Sequence, residues 1–229
     1  MKKLTPFLLF AAVLAAFTSC KKDAVKGPDE PAYSYVMAVN AAASTATSTI
    51  DVTVGTQNMP GIAFGSTSPY TQVSSGNNAV VIDYSGTTES DSLNLEKGKA
   101  YSIFAVDDAA GIRPVAVEDY LPGNAAGITN IRFLQFSADA PAMDIVIGGN
   151  LVFANRSYND QSTDPSLAAF ITIVPGTYDI EVRDPATSAV LYTFYSVTIG
   201  DGKTYNMIAK GSINGTNDQG FGLTLVANN

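Results

Sequence analysis

Carboxylates are the side chains in this sequence best able to do chemistry. The chain has 21 Asp and Glu, no His, a single Cys and no Trp. Without imidazole there is no Ser-His-Asp or Cys-His arrangement, no His-ligated metal and none of the commonest general base. What remains is Asp107-Asp108, Glu118-Asp119 and the pair Asp139 with Asp144. Two such groups could serve a glycosidase if they faced each other across roughly 5–10 Å, or they could hold Ca²⁺. No Asp-x-Asp-x-Asp-Gly loop is present, however, so the sequence gives no metal site and no cofactor. Asp107, Asp108 and Asp139 read as turn residues that bond nearby backbone N–H groups. Asp51 and Asp144 each precede an apolar strand in matched segments, and a structural role explains both more simply than two duplicated active sites. Gly148-Gly149-Asn150 and Asn214-Gly215 read as turns rather than phosphate cradles, because no helix follows either. We therefore expect no enzyme.

The lone Cys20 stands at an informative place. Lys2 and Lys3 open the chain, an uncharged apolar run covers residues 6–17, and Phe17-Thr18-Ser19-Cys20 closes it. That run is shorter than the roughly 20 apolar residues a membrane-spanning helix needs, and charges follow at once. The segment reads as a signal peptide over 1–19. Ser19-Cys20 resembles a lipobox, with Phe17 where leucine is more usual. Lipid on Cys20 would anchor the chain firmly, since each buried methylene contributes about 0.8 kcal/mol. Residues 20–32 are charged, bear Gly and Pro, and read as a lipidated flexible tether. Lys21-Lys22-Asp23 resembles charged export signals of surface lipoproteins. The expected location is the cell envelope, as an outer-membrane lipoprotein exposed at the surface, with the membrane a partner through the lipid. Removing residues 1–19 takes away Lys2 and Lys3 and no acid. That leaves 11 Lys and Arg against 21 acids, a formal charge of −10, and such an acidic chain is no partner for nucleic acid.

The mature chain repeats itself. Residues 50–55 (IDVTVG) match 143–148 (MDIVIG), 76–82 match 176–182, and Gly98-Lys99-Ala100-Tyr101 matches Gly202-Lys203-Thr204-Tyr205. The offset grows along the chain, and an insertion near 159–165 (NDQSTDP) accounts for part of it. A period near 100 residues fits a duplicated domain rather than a solenoid. Both copies read as strands with recurring turns and no helical periodicity, which is the rhythm of a β-sandwich. Residues 121–127 (LPGNAAG) read as a linker between domains at 33–120 and 129–229.

The run 190–199 (VLYTFYSVTI) reads as a long strand, and Asp201-Gly202 signals a hairpin after it. Simple alternation puts Leu191, Thr193, Tyr195, Val197 and Ile199 inward. Tyr192 and Phe194 then face outward as a candidate ligand platform for a glycan or a surface protein. Asp91-Ser92-Leu93 resembles a bacterial O-glycosylation acceptor centred on Ser92. Asn155-Arg156-Ser157 and Asn214-Gly215-Thr216 fit the eukaryotic N-glycosylation pattern, which is out of place in a bacterial lipoprotein.

Residues 130–145 (NIRFLQFSADAPAMDI) resemble the opening motif of domain of unknown function 4397. That motif is an apolar strand, then Ser-Pro-Asp-Ala-Pro, then an apolar residue before Asp-Val. Ala138 replaces the first proline here, and Gln135 stands where histidine is frequent. Residues 63–70 (AFGSTSPY) and 174–178 (VPGTY) resemble two further family segments, so the resemblance covers nearly the whole mature chain. It implies all-β architecture, with two tandem immunoglobulin-like β-sandwich domains in an extracytoplasmic protein. It implies no activity and no catalytic residue. The function expected is a non-enzymatic binding or adhesion module at the cell surface. The alternative is an accessory carbohydrate-binding lipoprotein of a glycan-uptake system.

Overall fold

The structure, a computed structural model, describes residues 32–119 and 125–228. Cys20, the expected signal, residues 20–31 of the expected tether, and residues 121–124 of the expected linker lie outside them. The described residues form sixteen strands and four short 3-10 turns, with no α-helix among them. The first copy holds β1 (Tyr33–Asn40), β2 (Thr49–Val54), β3 (Gln57–Ala63), β4 (Thr71–Ser74), β5 (Gly76–Tyr84), β6 (Thr87–Leu95), β7 (Ala100–Asp108) and β8 (Gly111–Asp119). The second holds β9 (Thr129–Gln135), β10 (Met143–Ile147), β11 (Asn150–Arg156), β12 (Ile171–Ile173), β13 (Gly176–Arg183), β14 (Val190–Ile199), β15 (Thr204–Lys210) and β16 (Gly222–Ala227).

Each copy is a sandwich of two four-stranded sheets. The first copy has sheets of order β4-β1-β7-β8 and β3-β2-β5-β6, and the second has β12-β9-β15-β16 and β11-β10-β13-β14. Strand for strand these are the same order, and no sheet mixes the two copies. In both, the first strand runs parallel to the seventh, β1 with β7 and β9 with β15. The expected all-β fold of tandem sandwiches is present.

Local chemistry explains the short connections. Ser85-Gly86 and Gly148-Gly149 both have positive φ at the two turn positions, as a two-residue hairpin of the primed type requires. Asp201-Gly202 does not make the expected hairpin. It leads from β14 in one sheet to β15 in the other, so the turn spans the sandwich.

Alternation fills three apolar cores. The first lies inside sandwich one and includes Val36, Ile50, Val52, Ile82 and Ile103. Its counterpart in sandwich two includes Ile131, Phe133, Ile145, Ile180 and Ile199. The third lies between the sandwiches. There Met37, Val39, Phe104, Val106, Val115 and Val117 meet Leu134, Phe136, Ile208 and Val226, with the Phe104 and Phe136 ring centroids 4.8 Å apart. β1 thus buries both its faces, Val36 and Ala38 in one core and Met37 and Val39 in the other. The inter-sandwich core makes the described chain one compact unit.

The register expected for β14 is corrected. Two bulges interrupt its pairing with β13. Leu191 is the extra residue between the pairs Arg183↔Val190 and Val182↔Tyr192. Another extra residue lies between Ile180↔Phe194 and Tyr178↔Val197, where Ser196 has φ 55°. Each bulge shifts the alternation by one residue. Tyr192, Phe194, Val197 and Ile199 therefore face the core, while Leu191 and Tyr195 are 41% and 75% exposed.

Candidate functional site

The aromatic platform expected at Tyr192 and Phe194 is not formed. Both rings are half-buried and lie against Phe221, with centroid separations of 4.5 and 6.3 Å. Ser92 lies exposed on β6, at the edge of its sheet. Cys20 lies outside the described residues.

The carboxylates are occupied: Asp108 makes the expected local bonds, to the backbone at Ala109 and Ala110, whereas Asp107 and Asp139 are held by partners distant in sequence. Asp139 accepts from Ser212 Oγ at 2.6 Å, Ile213 N at 3.0 Å and Asn214 Nδ2 at 3.1 Å. Burial pushes this carboxyl up, yet those hydrogen bonds hold it below the usual carboxylate range. Asp107 accepts from Ser44 Oγ at 2.5 Å, and Asp108 pairs with Arg113. Asp51 accepts the Gly61 N–H at 2.8 Å and Asp144 the Asn155 N–H at 2.7 Å. Both partners sit at bulges in left-handed backbone, with φ 70° and 49°. Asp179 does the same for Ser196 at 2.9 Å. The structural role expected of Asp51 and Asp144 is thereby specified: each ties a bulge on the neighbouring strand. Among the described residues no group of three or more His, Cys, Asp or Glu is placed to hold a metal ion.

The most concentrated polar chemistry is a buried cluster between the sandwiches. Arg132, 1% exposed, donates to Asp119, to the Glu118 carbonyl at 2.7 Å and to Asn206 Oδ1 at 2.6 Å. Asp119 also accepts from Tyr70 at 2.7 Å, Ser102 at 2.8 Å and Asn228 at 2.9 Å. The Phe170 ring covers the guanidinium at 4.5 Å. Burial pushes the Asp119 carboxyl up, against the pull of the Arg132 charge and the Tyr70 and Ser102 hydroxyls, and it lowers Arg132. Burial and then the Asp119 charge raise the Tyr70 phenol, so its hydroxyl stays a donor. A signal for this cluster existed in the sequence. Arg132 falls on one face of its strand with Leu134, and a lone charge on an apolar face needs a buried partner.

This cluster forms one wall of a cleft of about 520 Å³ lined by Tyr35, Tyr70, Gly98, Lys99, Ala100, Glu118 and Asp119. Tyr35 is 45% exposed. Lys99 spans the rim, 2.9 Å from Glu118 and 3.0 Å from Glu96, and hydrogen bonds to these two acids raise its ammonium pKa. The cleft offers an aromatic face, an ion-paired rim and a buried anchor for one ring, Tyr70. These groups suit binding, and none is a free nucleophile.

The segment ending in Tyr70 is now explained. The Ser68 hydroxyl accepts the Ala38 N–H at 3.0 Å, Tyr70 reaches Asp119, and Phe64 lies under Lys210 Nζ at 3.8 Å. Gln135, where the resembled motif often has histidine, closes a loop by accepting the Ser137 N–H at 2.6 Å.

Fold and cluster together define a duplicated β-sandwich protein whose halves are joined by a buried ion pair. The chain belongs to the family described as Domain of unknown function (DUF4397), which matches residues 34–146 and 129–229. No curated protein is significantly similar to it. Among solved structures, a crystal structure described as a "putative adhesin from Bacteroides ovatus" aligns with 86% of this chain and 93% of its own. Identity is 12% and the TM-score 0.19, a likeness too slight to bear on function. No helix among the described residues is long and apolar enough to cross a membrane.

Proposed function

We propose that this chain is a non-enzymatic, envelope-anchored binding or adhesion module. In this reading residues 1–19 are a signal, Cys20 carries lipid at the outer membrane, residues 20–32 are the tether, and domains at 33–120 and 129–229 present the ligand site at the cell surface. One observation carries the proposal. The Tyr35 cleft is open, while the carboxylates around it and at the sandwich tips are engaged in holding the fold. A half-exposed tyrosine beside an ion-paired rim also favours the glycan-binding alternative, since its ring can stack and its hydroxyl can hydrogen-bond.

The test compares the full chain carrying Cys20→Ser with the same chain carrying also Tyr35→Ala, on glycan arrays and on whole cells. Loss of binding in the second with an unchanged Tm is expected. Binding that survives Tyr35→Ala removes the cleft from the proposal. Metabolic fatty-acid labelling tests the anchor: wild type should be labelled and Cys20→Ala should not.

A further inference from the structure

A second groove has a different chemistry. It holds about 620 Å³ between β8 residues 115–118 and the insertion of the second copy, where Gln161, Pro165 and Ala168 line it. Val115 and Val117 belong to the inter-sandwich core, and Ala168 packs against it. The groove is thus the open margin of an interface already described.

β8 is the edge strand of its sheet, and its hydrogen-bond phase can be read. Pro114, opposite Ala105, has no N–H to give. The Ala105 carbonyl accepts from Ala41 instead, on the side away from β8. Ala105↔Pro114 is therefore a non-hydrogen-bonded pair, and alternation turns the N–H and C=O of Ala116 and Glu118 away from β7 as well. The Glu118 carbonyl agrees, since it accepts from Arg132. The Ala116 N–H and C=O and the Glu118 N–H are left facing the open edge.

Across the groove stands Gln161, 6% exposed. Its Nε2 donates to Asn159 at 2.7 Å, but its buried Oε1 has no partner among the described residues. A buried acceptor without a donor is costly. An extended chain meets all of these needs at once: backbone donors and acceptors at strand spacing for β8, an N–H for Gln161, and small apolar side chains for Val115, Val117, Pro165 and Ala168. A glycan would match the hydroxyl chemistry of the Tyr35 cleft but would not satisfy this apolar floor.

We propose that this groove takes an extended, uncharged polypeptide segment as an added strand on β8, gripped from the far side by Gln161. The groove shares Glu118 with the Tyr35 cleft, but this proposal does not need that one to hold.

The test is selection of linear peptides from a random phage-displayed library on the full chain carrying Cys20→Ser. Expected winners are uncharged and rich in β-branched residues, and they slow hydrogen exchange at the Ala116 and Glu118 amides. Two variants check the contacts. Gln161→Leu removes the acceptor, and Ala116→Pro removes an edge N–H that the sheet does not use. Each should weaken the selected peptide about tenfold or more, with Tm kept near wild type in Ala116→Pro and lowered in Gln161→Leu, which also takes the donor from Asn159 Oδ1. N-methylation of alternate peptide amides should weaken binding likewise. The proposal is overturned if selection yields no peptide. It is overturned equally if selected peptides bind both variants as tightly as wild type, or protect no β8 amide.

Discussion

The two sandwiches share a strand order but solve three problems in opposite ways. The first is the clasp between the C-terminal ends of their first and seventh strands. In the first copy the acid is Asp107, at the end of β7, and it holds Ser44. In the second the acid is Asp139, after β9, and it holds Ser212 and its neighbours. The same cross-link is made with acid and hydroxyl exchanged. The second problem is the exposed sheet edge. β6 pairs with β5 without a bulge and carries Glu89 and Asp91. β14 is uncharged along its length and carries two bulges instead. Charge and bulge are alternative defences against edge-to-edge pairing. The third is the shared interface. Aligning the parallel pairs sets Met37 against Arg132 and Ser102 against Asn206. Asp119 and Asn228 correspond likewise, beside Ala100 and Thr204. Counterparts touch: Asn206 donates to Ser102 at 3.1 Å and Asn228 to Asp119. The interface behaves like one surface meeting its own copy, with a single charge pair added off the symmetry. Duplication kept the backbone pattern and the apolar cores, while polar devices were free to differ as long as each was satisfied.

The largest expected effect comes from making the interface symmetric. Arg132→Met gives the second copy the first copy's residue and strands Asp119 in the interior. Urea denaturation should show a loss of about 3–5 kcal/mol. Adding Asp119→Asn, the second copy's residue at that place, should recover much of it. A double variant as unstable as the single one would mean that packing around Arg132, and not its charge, holds the halves together.

The bulges of β14 make the next prediction. Ile199→Ala should cost about 2–5 kcal/mol, as deletion of core methyl groups does, and Leu191→Ala should cost under about 1 kcal/mol because its side chain faces solvent. Equal losses at the two positions would restore simple alternation and remove the contrast with β6.

Smaller effects separate the bulge ties. Asp51→Ala and Asp144→Ala each lose one carboxylate-to-backbone hydrogen bond, for about 1–2 kcal/mol in equilibrium unfolding. The Asp144 variant should lose more. Its partner Asn155 holds a left-handed backbone that costs a non-glycine residue energy, whereas Gly61 adopts it freely.

The smallest effect is a pH dependence of the second clasp. The Asp139 carboxyl is held below its ordinary value. Its stabilising contribution is therefore present above the unfolded carboxylate pKa and is lost as pH falls through the lowered folded value. Amide exchange at Ile213 and Asn214, corrected for intrinsic rate, should quicken across that acid window. Asp139→Asn should abolish this pH dependence.

Periodicity and turn chemistry made much of the fold legible. The alternation of Val52 and Val54, the Gly148-Gly149-Asn150 turn, and the repeat of 50–55 at 143–148 mark strands, a hairpin and duplication before any coordinate is known. They do so because backbone hydrogen bonding and apolar burial act over a few residues. The site was less legible. Alternation misplaced Tyr192 and Phe194, since a bulge is one inserted residue stabilised from another strand, here by Asp179 on β13. The Asp201-Gly202 turn was visible, but not that it joins opposite sheets.

The sequence by itself determined the composition-level facts: an acidic chain without histidine, one cysteine after an apolar run, and two copies of a strand pattern. Only the tertiary structure decided which charges are structural. Arg132 and Asp119 lie thirteen residues apart across the junction of the two copies, and their pairing is completed by Tyr70, Ser102, Asn206 and Asn228 from distant segments. A buried charge is tolerated only where every partner arrives together, and that convergence is a property of packed sheets rather than of any local stretch of chain.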